Sequence, residues 1–147
     1  MPTPFESAQL ILTLYEQRRE ETMRKARDFW MGFEPETLED YGAVAMGPHG
    51  GYVRMVVSYW DMAASFVENG AIDRKMFYDS TMEFLVVYAK IEHLIPKIRE
   101  AYGPNFAMNL EKLAMGLPDA RNQIDSLRAR IKGMLAARKA AAASANA

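Results

Sequence analysis

The 147-residue chain has no cysteine, only two histidines and only two tryptophans. The missing cysteine excludes disulfides, thiolate nucleophiles, zinc fingers and iron–sulfur clusters together, and it suits a reducing, cytoplasmic setting. The two histidines, His49 and His93, are too few and wrongly placed for the commonest metal chemistry. A carboxylate-bridged di-metal bundle needs Glu-x-x-His on two helices, yet Met46 precedes His49 and Lys90 precedes His93 at that spacing. The zinc-protease pattern His-Glu-x-x-His is also absent. No metal and no cofactor are therefore expected.

Long hydrophobic runs are lacking as well. The most apolar window, Tyr52 to Val67, carries Arg54 and Asp61 and is shorter than the roughly 20 residues that span a bilayer. The first residues, Met1-Pro2-Thr3-Pro4-Phe5-Glu6, show no basic segment followed by an apolar one, so neither a secretory signal nor a membrane span is expected. No Gly-x-Ser-x-Gly elbow surrounds Ser58, Ser65, Ser80 or Ser126, and Gly47-Pro48-His49-Gly50-Gly51 lacks the Lys-Ser/Thr that a phosphate-binding loop requires.

What is present is helical periodicity. Two strongly apolar segments between Tyr52 and Tyr102 are separated only by Asn69-Gly70-Ala71-Ile72-Asp73. Their apolar positions exceed what one exposed face needs, which predicts two mutually buried central helices in an all-α, single-domain bundle of five or six helices. A first helix is expected from Thr3 or Pro4 to Met31, with Leu10, Ile11, Leu14 and Tyr15 facing inward. Its polar belt Glu16-Gln17-Arg18-Arg19-Glu20-Glu21 reads as a solvated segment with Glu20–Arg24 and Glu21–Lys25 pairs, or as one that turns Arg18 or Arg19 inward toward an acid such as Asp61. A short acidic helix follows over about 35–46. The third runs from Gly51 to Glu68 and stops at Asn69-Gly70, after which Asp73 caps a new segment. A short turn around Met76-Phe77-Tyr78 then leads to a long helix from about Ser80 to Tyr102, which Pro96 is expected to kink.

From Phe106 onward, Leu110, Leu113, Leu117, Ala120, Ile124, Leu127, Ile131 and Met134 recur at 4- and 3-residue steps. Such a seam serves either an amphipathic helix on its own domain or intermolecular pairing. Pro118 is expected in the first turn of its second helix. The domain is taken as residues 1–135, and the Ala-rich 136–147 as a frayed tail. Charge divides along the chain: residues 1–118 hold 12 Lys/Arg against 17 Asp/Glu, and residues 119–147 hold 6 against 2. The basic end lacks interleaved aromatics, so it gives no strong nucleic-acid signal.

The block Val67-Glu68-Asn69-Gly70-Ala71-Ile72-Asp73, then Phe77-Tyr78, then Leu94-Ile95-Pro96-Lys97-Ile98-Arg99-Glu100, resembles small bacterial helical domains of unknown function over about residues 50–102. The resemblance implies an all-helical fold and a bacterial source, and it supplies no catalytic residues.

Two functional expectations follow. The favoured one is a non-enzymatic domain that self-associates or binds a protein partner through Leu117, Ile124, Leu127, Ile131 and Met134. The alternative is a small-molecule or catalytic pocket beside Pro96 built from Trp60, Asp61, Tyr88, Glu92 and His93, chosen from a polar set on the central helices that also includes Arg54, Tyr59 and Glu83.

Overall fold

The computed structural model describes residues 1–147 and is all-helical, with nine α-helices and one 3-10 turn. The helices are α1 (Pro4–Arg18), α2 (Glu21–Gly32), α3 (Leu38–Ala45), α4 (Gly50–Glu68), α5 (Arg74–Ser80), α6 (Glu83–Ile91), α7 (Ile95–Tyr102), α8 (Met108–Met115) and α9 (Ala120–Ala145). The count exceeds the five or six expected because two long periodic stretches are each divided and the short turn around Met76-Phe77-Tyr78 is a helix of its own, α5.

The first division falls at Arg19-Glu20. Glu20 has extended backbone and its carboxylate accepts from the N–H groups of Thr22 and Met23, so it caps α2 instead of pairing with Arg24. The second replaces the expected kink at Pro96. Helix α6 ends at Ile91, the turn Glu92–Leu94 intervenes, and Pro96 sits in the first turn of α7, where its missing N–H costs nothing. The break at Pro118 is the expected one, but the proline stands ahead of α9 and not inside its first turn. The preceding residues close α8, and Asp119 takes a left-handed φ of 52° to start α9.

Other signals are realised directly. Thr3 and Glu6 form a reciprocal capping box on α1, Thr37 and Asp40 do the same on α3, and Asp73 accepts from Met76 N–H to cap α5. Gly70 adopts φ 77° just beyond α4, as its place after Asn69 requires.

Helix α4 is the axis of the fold. It packs between α2 and α8, with α3, α5 and α6 also against it, and α6 in turn carries α9. Trp30, Trp60, Tyr88, Phe77 and Phe84 are the largest fully buried side chains of a single core. Helix α9 adds Ala120 and Ile124 to that core, with Leu127 packed at its edge. From Ala136 onward every residue is exposed, although the helix continues to Ala145. No helix is long and apolar enough to cross a membrane.

Candidate functional site

The five pocket candidates do not form one pocket. Trp60 is buried in α4, set edge-on to Tyr59 with the Arg18 guanidinium 5.2 Å above its ring. Tyr88 is equally enclosed, and burial, reinforced by the nearby Glu92 charge, pushes its phenol well above the ordinary tyrosine range. His93 is at the surface, where its Nε2–H donates to the Pro35 carbonyl at 3.2 Å. Only His93 of the five lines the cleft described below.

Asp61 has a defined task. Its Oδ1 accepts from the backbone N–H groups of Asn109 and Leu110, both at 2.9 Å, and Oδ2 accepts from the Asn109 side chain. Helix α8 has no capping side chain of its own, because Ala107 precedes it in a left-handed conformation. Asp61 therefore caps a helix from across the core, placing negative charge at its N-terminus. Two turns away on α4, Arg54 donates to the Ala45 carbonyl at the C-terminus of α3, the complementary arrangement of charge and dipole. Asp61→Ala should cost about 2 kcal/mol in urea unfolding, since two amide donors lose their acceptor. Asp61→Asn should recover part of that loss, and equal losses in the two variants would contradict a capping role.

Glu83 and Glu92 are likewise committed. Glu83 joins Arg18 at 3.2 Å and Arg27 at 2.8 Å, and Arg18 also donates to Thr81. Arg18 thus turns inward, but toward Glu83 and not Asp61. Glu92 receives Arg121 through both carboxylate oxygens, at 2.8 and 2.6 Å, and Arg128 at 2.7 Å. Burial alone would raise its carboxyl, but the two guanidinium groups outweigh it and hold the group at about 2. These bonds fasten α9 to the turn between α6 and α7.

The group that sequence reasoning passes over is Lys90. On α6 it is 7% exposed. Its ammonium donates to the Trp30 carbonyl and, at 3.2 Å, to the Met31 carbonyl at the end of α2. Burial lowers the amine to about 8, against a smaller opposing pull from Glu34. A cleft of about 340 Å³ opens beside it, lined by Glu34, Pro35, Glu36, Ala89, Lys90, His93, Arg128, Ile131 and Lys132. In the sequence Lys90 looks like any solvated helix lysine. Its one signal is that the flanking Val87, Ala89 and Ile91 are all core residues.

The expected interaction seam is divided between inside and outside. Leu117 and Ile124 are 8% and 0% exposed within the domain's own core, Leu127 and Ile131 are half-buried, and Met134 is 54% exposed. A second apolar seam lies on the side of α1 away from Leu14 and takes in Tyr15, expected to face inward; Leu10, expected inward too, is also exposed, because α1 buries only Ser7 and Leu14. Phe5, Ala8, Leu12 and Tyr15 recur at steps of 3, 4 and 3, and Phe5, Leu12 and Tyr15 are 70%, 65% and 51% exposed. The same 3- and 4-residue spacing that marked the C-terminal seam was its available signal.

This arrangement defines an all-helical domain whose best-buried charges are used to join helices. The chain belongs to the family described as Domain of unknown function (DUF4760), which matches residues 4–117. No curated protein and no solved structure matches it.

Proposed function

We propose that the protein is a non-enzymatic interaction domain that associates with a second copy or another helical protein through the outer face of α1. The observation carrying this reading is the Phe5-Ala8-Leu12-Tyr15 seam, an apolar stripe largely exposed at Phe5 and Leu12 and covered in part only at Ala8 and at Tyr15, where the Arg18 guanidinium lies over the ring. The acids of the polar set support it from the other side. Asp61, Glu83 and Glu92 are each engaged by helix ends or arginines, an arrangement suited to holding a scaffold together.

The exposed end of the C-terminal seam, Leu127, Ile131 and Met134, is a secondary surface, while Leu117 and Ile124 serve the core. Pairing of two α1 stripes alone would bury less than the roughly 1,600 Å² of a standard interface, placing association at the weak, micromolar end. Native mass spectrometry and sedimentation across micromolar concentrations should show a multimer that Leu12→Glu dissociates while helicity and melting temperature are preserved. Alanine at Leu127 and Ile131 should weaken assembly less. A strictly monomeric wild-type chain that also retains no protein partner would refute the proposal.

A further inference from the structure

We propose that the cleft between α6, α9 and the 33–36 segment binds a small zwitterion of the α-amino-acid type, its carboxylate on Lys90 and Lys132 and its ammonium on Glu34 and Glu36. This inference is independent of the α1 interface. The cleft's volume of about 340 Å³ lies at the lower end of the range for small-molecule sites, roughly 300–1,000 Å³. Its walls differ in sign. Lys90 and Lys132 come from the helical side, and Glu34 and Glu36 come from the segment that leaves α2.

The groups also differ in what they have left to offer. An ammonium has three N–H donors, and Lys90 gives two to the carbonyls of Trp30 and Met31, leaving one for a ligand in the cleft it lines. The residue is more than nine-tenths buried and Glu34 acts on its ammonium only from beyond ion-pair distance, so a ligand carboxylate beside it would supply the contacting counter-charge. Lys132 has no ion-pair partner within the chain, and neither does Glu36, whereas Glu34 meets only the exposed Lys139 at 3.5 Å. Arg128 is already spent on Glu92 and the Ala89 carbonyl, and His93 on Pro35. A simple anion would satisfy the lysines but face two acids, and a simple cation would meet the reverse. Only a ligand carrying both charges complements both walls. Ala89 and Ile131 between them favour a short apolar side chain.

The test is a thermal-shift screen of the full chain against the common L-amino acids at about 10 mM, followed by calorimetry on any that bind. The expected result is that one or more aliphatic amino acids bind. The amide of such a ligand, which lacks the carboxylate, and the corresponding carboxylic acid, which lacks the ammonium, should each bind at least about tenfold more weakly. Lys132→Ala and Glu36→Gln, both exposed and unpaired, should each reduce affinity about tenfold without changing the melting temperature of the unliganded protein. Lys90→Met should abolish binding, with circular dichroism checking its fold. Failure of every amino acid to bind, equal binding by either half-analogue, or unchanged affinity in Lys132→Ala and Glu36→Gln would overturn the proposal. Subunit number read in the same samples reports on the α1 interface separately.

Discussion

Glu83→Ala is expected to lower the melting temperature by about 8 °C, corresponding to about 2–3 kcal/mol. Glu83 starts α6 and is the one acid that meets both Arg18 and Arg27, whose side chains are 13% and 32% exposed. Removing it leaves two partly desolvated guanidinium groups facing each other, and the Nε of Arg18 already lacks a partner. The loss therefore includes the cost of a stranded buried charge as well as that of the missing attraction. Glu83→Gln, which keeps an acceptor but no charge, should fall between wild type and alanine. An alanine effect below about 0.5 kcal/mol would mean that the network behaves like an ordinary surface pair.

The second large effect is a rise in stability with pH, opposite to the behaviour expected from buried tyrosines. The Lys90 amine is lowered by burial to about 8 when folded, below its ordinary value of 10.5. Between these values the unfolded chain binds more protons than the folded one, so stability increases with pH. The contribution is complete above the unfolded value and is lost as pH falls through 8. From pH 8 to 10 it should amount to about 2 kcal/mol. Tyr41 and Tyr59 oppose it at higher pH. Burial raises both phenols to about 12, so the stability they contribute is present below pH 10 and disappears as pH climbs toward 12. Urea unfolding should thus show a maximum near pH 10. In Lys90→Met the rise from pH 8 should vanish, whatever the variant's absolute stability. A rise that persists in the variant would assign the titration to another group.

The sequence carried the helical class and most local boundaries because those depend on neighbours along the chain. Asn69-Gly70 ends α4, Asp73 caps α5, and Thr3 with Glu6 opens α1, each through a short-range bond that its residue types announce. The divisions were harder to see. Glu16 to Glu21 is compatible with an uninterrupted helix, and only the return of the Glu20 carboxylate onto Thr22 and Met23 ends it there. Pro96 was visible as a disruption, but a proline tolerates the first turn of a new helix as well as it kinks an old one, and the separate 3-10 turn decides between them.

The polar groups were the least legible part. Asp61, Glu83 and Glu92 could be singled out as acids on central helices, but their partners lie 29 or more positions away along the chain. Periodicity gives a residue's face without naming what that face meets. Lys90 is the sharpest instance. Its apolar neighbours Val87, Ala89 and Ile91 are the only local trace, and its burial becomes evident once the end of α2 is laid over α6.

Helix α9 carries a practical lesson about boundaries. The shared family region stops at residue 117, yet Ile124 is fully enclosed and Arg121 and Arg128 grip Glu92 from beyond that limit. The matched stretch is therefore smaller than the unit that closes this core. A chain cut at residue 117 would lay bare the outer side of α6 and leave Glu92 without either guanidinium, so the boundary of the recognisable sequence is not a place at which this molecule can be divided.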